Sequence, residues 1–153
     1  MGKIVLATII ISGSAKWLLN VDGNKEKWYG SDRIFMYVMT VFGAMTVNYS
    51  EQCTEYGWVV SNLRLLAGCL LAGGLLSAAY MDRRNCWVYN YVWWWCLPWA
   101  GILRMTAGGE FSGIVAVLVF VMLQQLLFSR MYGKAGCHAF SVCALAECGN
   151  AVG

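Results

Sequence analysis

Asp82 is the residue in this sequence best placed to do chemistry. It stands at the end of an apolar run, in Tyr80-Met81-Asp82-Arg83-Arg84-Asn85-Cys86-Trp87-Val88-Tyr89-Asn90, and Asn90 opens the next run. A carboxylate at the end of a membrane helix can act as acid, base or counter-ion, and ionisable residues there are functional candidates. The plainer reading is an interfacial carboxylate balanced by Arg83 and Arg84. A second informative stretch follows a later apolar run: Gly133-Lys134-Ala135-Gly136, then Cys137-His138-Ala139-Phe140. Cysteines stand at 53, 69, 86, 96, 137, 143 and 148, with no Cys-x-x-Cys pair. A zinc or redox site therefore lacks its usual spacing. Cys137, His138 and Cys143 lack a fourth ligand at a sensible spacing. Helix packing is the expectation for the thiols, with no metal and no cofactor.

The rest of the chain must position these residues. Of its 153 residues 59% are hydrophobic and 12% charged, against about 25% charged in a typical soluble domain. There is one Pro and no Ser/Gly/Pro-rich linker, so residues 1–153 read as one transmembrane domain. The net charge of +3, without a basic patch, gives no reason to expect nucleic acid. Many of the eight Trp and eight Tyr lie near the ends of apolar runs, where amphipathic rings favour the membrane–water interface.

Five apolar segments stand out: about Ile4–Val21, Ile34–Tyr49, about Leu65–Tyr80 with a possible start at Trp58, about Tyr89–Leu103, and Phe111–Phe128. A sixth, weaker one is Cys137–Val152. The runs do not alternate polar and apolar residues as barrel strands would, and unbroken apolar runs in lipid must satisfy their own backbone groups. The expected fold is an all-α membrane protein, a polytopic bundle of about five to six short transmembrane helices. Sixteen residues rise only about 24 Å, so several segments are short for a bilayer. The first segment has a competing reading as a signal peptide, because Lys3 precedes its apolar stretch, but no small-residue cleavage site follows.

Charge sets the orientation. With the loop after the first segment in the cytoplasm, Lys16, Lys25, Lys27, Arg33, Arg83, Arg84, Arg130 and Lys134 fall on that side. Lys3, Arg64 and Arg104 fall on the other, as the positive-inside rule expects. The segments 81–88 and 129–136 then share the cytoplasmic face. Gly68 and Ala72, and Gly74 and Ala78, are spaced four apart, which lets helix backbones approach closely. A transporter would need polar residues along a path; Thr40, Thr46, Ser77, Gln124 and Gln125 are too scattered to mark one.

The stretch from about Leu65 to Gly149 resembles the type IV prepilin peptidase family, the membrane aspartic proteases with a Gly-x-Gly-Asp motif. In that family an apolar helix ends in Asp-x-Arg, and a basic turn and Pro-Asn precede the next helix. Asp82, Arg84 and Asn90 fit this pattern, with Tyr89 where Pro is common. A further helix then leads to a Gly-containing cytoplasmic turn, matched by Gly133, Lys134, Ala135 and Gly136. Ala135 replaces the usual second Gly, and Gly136 stands where the family has its second catalytic Asp.

The resemblance implies an endopeptidase of a bacterial cytoplasmic (inner) membrane. It would cleave prepilin-like precursors at the cytoplasmic face, between a short basic leader and a hydrophobic helix. Asp82 would be one catalytic carboxyl and position 136 the place of the other. An aspartic dyad works because two nearby carboxyls share one proton and titrate as a unit. One takes a proton from the attacking water while the other polarises the carbonyl. With Gly136 that pair is broken, and losing one member of a catalytic unit commonly costs several orders of magnitude. Glu147 lies eleven residues further on, about 16 Å along a helix, too far to substitute. Seventeen residues follow Gly136, fewer than the family's further helices need, so truncation at the C-terminus is an expectation. The four-Cys zinc module of some larger members is also absent from the sequence. The competing expectation is a non-catalytic membrane protein, a pseudoprotease or partner subunit.

Overall fold

A computed structural model describes residues 2–21, 30–52, 57–106, 111–127 and 129–147. All the regular structure among them is helical: α1 (Gly2–Asn20), α2 (Gly30–Gln52), α3 (Trp58–Asn85), α4 (Asn90–Thr106), α5 (Phe111–Leu127) and α6 (Ser129–Glu147). Each apolar run of the sequence lies in a helix, but most of the helices outrun them. α2 begins at Gly30 rather than Ile34, and α3 spans 28 residues, about 42 Å at 1.5 Å per residue. Hydropathy marks where a helix meets apolar surroundings. The backbone ladder ends elsewhere, where a residue leaves helical geometry. In α3 that residue is Cys86, in the left-handed region at φ 51° and ψ 28°, with its N–H bonded to the Asp82 carbonyl at 2.9 Å.

The expected turn at 133–136 is a correction. Gly133, Lys134, Ala135 and Gly136 lie within α6, which starts at Ser129. The stretch holds no Pro, Asn or Asp to offer the backbone a competing turn. Met131, Lys134 and Ala135 are good helix formers, and each Gly costs only about 1 kcal/mol inside a helix. The weak sixth segment is the remainder of this helix as far as Glu147; residues 148–152 lie outside the described residues.

α3 is the hub. Leu65, Cys69, Leu76 and Tyr80 on one face pack with Ala7, Ile11 and Ala15 of α1 and Met36 and Ala44 of α2. Leu71, Ala78 and Met81 on another face pack with Val92, Trp93, Cys96 and Ala100 of α4 and Val142 of α6. Two adjacent glycines allow both approaches. A Cβ on Gly73 would collide with the Ser14 hydroxyl of α1; one on Gly74 would lie 2.5 Å from Cys96 Sγ of α4. Small residues permit such close backbone crossings. The Gly74–Ala78 spacing is thus a helix–helix contact, while Ala72 faces α2 and the open groove described below.

α5 packs on α6 and leaves Val115, Leu118, Phe120, Met122 and Leu126 exposed. α1 and α3 are each long and apolar enough to cross a membrane. α2 and α6 carry shorter apolar stretches, Arg33–Met45 and Ala135–Ala146.

Two sets of contacts mark the ends of the bundle. At one end the Tyr91 hydroxyl donates to the Leu18 carbonyl at 2.9 Å, and Arg83 lies 4.8 Å from the Phe35 ring centre. The end of α1, the starts of α2 and α4 and the end of α3 therefore gather there. At the other end Arg64 of α3 reaches the Thr106 hydroxyl of α4 at 3.4 Å.

Candidate functional site

Asp82 lies in the last turn of α3, on the side of the helix that looks between α2 and α6. There it lines a groove of about 460 Å³. α3 forms the floor through Ala72, Leu75, Leu76 and Ala79. Met39, Phe42 and Gly43 of α2 form one wall. Ala135, Gly136, Ala139 and Cys143 of α6 form the other. Val88 and Trp93 also line it, and Trp93 leans on His138 of α6 with ring centres 5.6 Å apart.

The groove exists because small side chains face one another. Ala135, Ala139 and Cys143 recur every four residues on α6, and Ala72 and Ala79 stand two turns apart on α3. Residues at such spacings share one helix face. From Ala72 to Asp82 the floor is ten residues, about 15 Å long. Asp82 is the acidic residue among the lining positions, and the rest of the lining is almost wholly apolar.

The neighbouring arginines both contact aromatic residues, one through a ring face and one through a hydroxyl. Arg83 sits over Phe35 of α2, and Arg84 Nη1 donates to the Tyr80 hydroxyl at 2.9 Å. Neither lines the groove. Arg83 thus contacts the Phe35 ring and Arg84 the Tyr80 hydroxyl, both beside the end of α3 that carries Asp82.

The structure brings together Asp82, Ala135 and Gly136, three of the residues singled out in the sequence. Arg84 and Asn90 lie at the same end, exposed to solvent and outside the lining; Asn90 is the first residue of α4, as its spacing suggested. Gly133 and Lys134 belong to the second turn of α6. Cys137 and His138 point apart: the Cys137 thiol approaches the Gln124 carbonyl of α5 at 3.9 Å, while His138 meets Trp93. Cys143 faces the groove. Glu147 ends the same continuous helix as Gly136, about 16 Å along its axis.

Sequence reasoning missed the α2 wall and the depth of the groove. The four-residue recurrence of Ala135, Ala139 and Cys143 was the available signal on α6. Met39 and Gly43 show the same spacing on α2, but nothing in the sequence says that these two faces look toward each other.

A lone carboxylate at the end of an apolar groove can hold a water, accept a hydrogen bond or pair with a cation. It cannot supply an acid and a base at once. No family model, curated protein or solved structure matches the chain.

Proposed function

We propose that this chain is a polytopic membrane protein of the prepilin-peptidase type, with five to six membrane-crossing helices, whose peptidase centre is disabled at Gly136. One observation carries this reading: Asp82 and Gly136, far apart in sequence, line the same groove. These are the two positions at which the family resemblance puts the catalytic carboxyls. The exposed apolar surface of α5 and the two helices of membrane-crossing length support a bilayer setting, since soluble proteins rarely expose large contiguous apolar patches.

In this reading the substrate is a prepilin-like precursor, entering the groove with its hydrophobic helix and presenting its leader junction at the Asp82 end. That end faces the cytoplasm of a bacterial inner membrane. Asp82 would bind and deprotonate the attacking water. Position 136 would carry the second carboxyl, which here is missing, so hydrolysis is slow or absent while binding survives. A mass-spectrometric assay on a precursor, with the chain and its Gly136→Asp variant side by side in liposomes, tests this. Cleavage gained by the variant supports the reading.

A second reading has its own observation. Asp82 is the one acidic residue among the described residues that line the groove, which suits a protein that binds a helix and does not cut it. It predicts no gain of cleavage from Gly136→Asp.

A further inference from the structure

Two thiols meet where α3, α4 and α6 pack together. Trp93 of α4 and His138 of α6 have ring centres 5.6 Å apart, which sets the register of these two helices. One turn further along both, Cys96 of α4 and Val142 of α6 belong to one buried cluster with Leu71 and Ala78 of α3. Cys143 follows Val142 and lines the groove with Ala72 and Leu75 of α3. Cys96 Sγ faces Gly74, where an added Cβ would stand 2.5 Å away. The two thiols therefore approach α3 at one level from different helices, within electrostatic reach of each other. The other described cysteines lie elsewhere. Cys69 packs toward α1 and α2, Cys86 ends α3, and the Cys137 thiol approaches the Gln124 carbonyl of α5.

We propose that Cys96 and Cys143 form a reversible disulfide, driven by a hydroperoxide, that pins the α6 wall of the groove to α4. Cys143 is partly exposed along the groove, whereas Cys96 is fully buried. Exposure decides which thiol meets the oxidant first. The Cys143 sulfur attacks hydrogen peroxide, the O–O bond breaks, and sulfenic acid and one water result. The Cys96 sulfur then attacks the Cys143 sulfur, the S–O bond breaks, and the hydroxyl leaves with the Cys96 proton as a second water. The two thiols lose two electrons and two hydrogens, and the peroxide is reduced to water. Two equivalents of a small thiol reverse the bond by exchange, leaving as their own disulfide. This chemistry depends on the helix packing alone, whatever the groove binds. A disulfide tolerates only about 4.4–6.8 Å between Cα atoms, so its formation in the folded chain requires this helix register.

The test treats the full chain in liposomes with hydrogen peroxide and maps its cysteines by mass spectrometry after digestion without reductant. The expected product is a Cys96–Cys143 linked peptide pair, lost on adding dithiothreitol. Oxidation should also raise the thermal unfolding midpoint, because the bond closes a long loop. Cys96→Ser should leave Cys143 as a sulfenic acid that dimedone traps, with no link and no rise in midpoint. Cys143→Ser should leave Cys96 unoxidised. Oxidation of Cys86 with no Cys96–Cys143 link in the unaltered chain overturns the proposal, as does pairing of Cys143 with any other cysteine. Equal oxidation of Cys96 with and without Cys143 overturns the order of attack. Mapping of the unaltered chain decides the central point without any variant having to fold.

Discussion

Asp82 and Gly136 look into one groove from different helices, the first in the last turn of α3 and the second about two turns into α6. A carboxylate thus faces a position that has no side chain. This relationship depends on α6 beginning at Ser129. Were residues 129–136 a loop, position 136 would have no helix to hold it against α3.

The end of α3 offers the first check. Cys86 adopts left-handed geometry, which costs a residue with a Cβ roughly 1–2 kcal/mol and glycine little. Cys86→Gly is therefore expected to stabilise the protein by about 1 kcal/mol. Thermal unfolding in detergent reads this, and a lower midpoint would contradict the helix end described here.

The Gly73-Gly74 crossing is more demanding. A methyl on Gly74 would sit 2.5 Å from Cys96 Sγ and 3.1 Å from Trp95 Cδ1. Gly74→Ala should cost about 1–3 kcal/mol through overpacking. Adding Cys96→Ala should restore part of that loss, a coupling that a double-mutant cycle measures directly. Gly101→Ala is the control. Nothing lies within 4 Å of its added Cβ, so the change should be neutral or stabilising by up to about 1 kcal/mol. Equal losses at both glycines would mean that α4 does not approach α3 through Gly74.

Gln124 makes a third prediction. It is 6% exposed, and its Oε1 has no hydrogen-bond partner among the described residues. An unsatisfied buried amide oxygen costs about 1–3 kcal/mol. Gln124→Met keeps the shape and removes the oxygen, so it should raise stability by about 1 kcal/mol. A loss of stability in the same unfolding assay would show that the amide has a partner the described contacts do not include.

The α1 tether is simpler. Tyr91→Phe deletes the hydroxyl that bonds the Leu18 carbonyl at 2.9 Å, with an expected cost of about 1 kcal/mol. Hydrogen exchange should rise first in the last turn of α1.

How much of this was legible beforehand varies by residue. Unbroken apolar runs announced α1 to α5 among the described helices, because a backbone in apolar surroundings must pair with itself. Asp82 and Asn90 were correctly placed at an end and a start, since charge and amide mark where an apolar run stops. The segment at 133–136 misled. Two glycines look like a turn, yet α6 runs through them, packed beside α3 and α4, and only tertiary contact reveals that. The α2 wall was illegible for a related reason. Met39 and Phe42 are ordinary apolar residues, and their role comes from what α6 leaves uncovered. Gly73 and Gly74 show the limit of spacing rules: α3 meets α1 and α4 through adjacent glycines on different faces, where a four-residue pattern points to one face only.

The most direct test of the peptidase reading is cleavage of a prepilin-like precursor by three versions of the chain in liposomes: as it stands, with Gly136→Asp, and with Gly136→Asp plus Asp82→Asn. The account predicts cleavage by Gly136→Asp alone, exceeding the other two by several orders of magnitude, as expected when one member of a catalytic pair is restored. Robust cleavage by the chain as it stands, abolished by Asp82→Asn, would contradict the argument that Gly136 disables the site. No cleavage by any version, with all three folded, would contradict the peptidase reading itself.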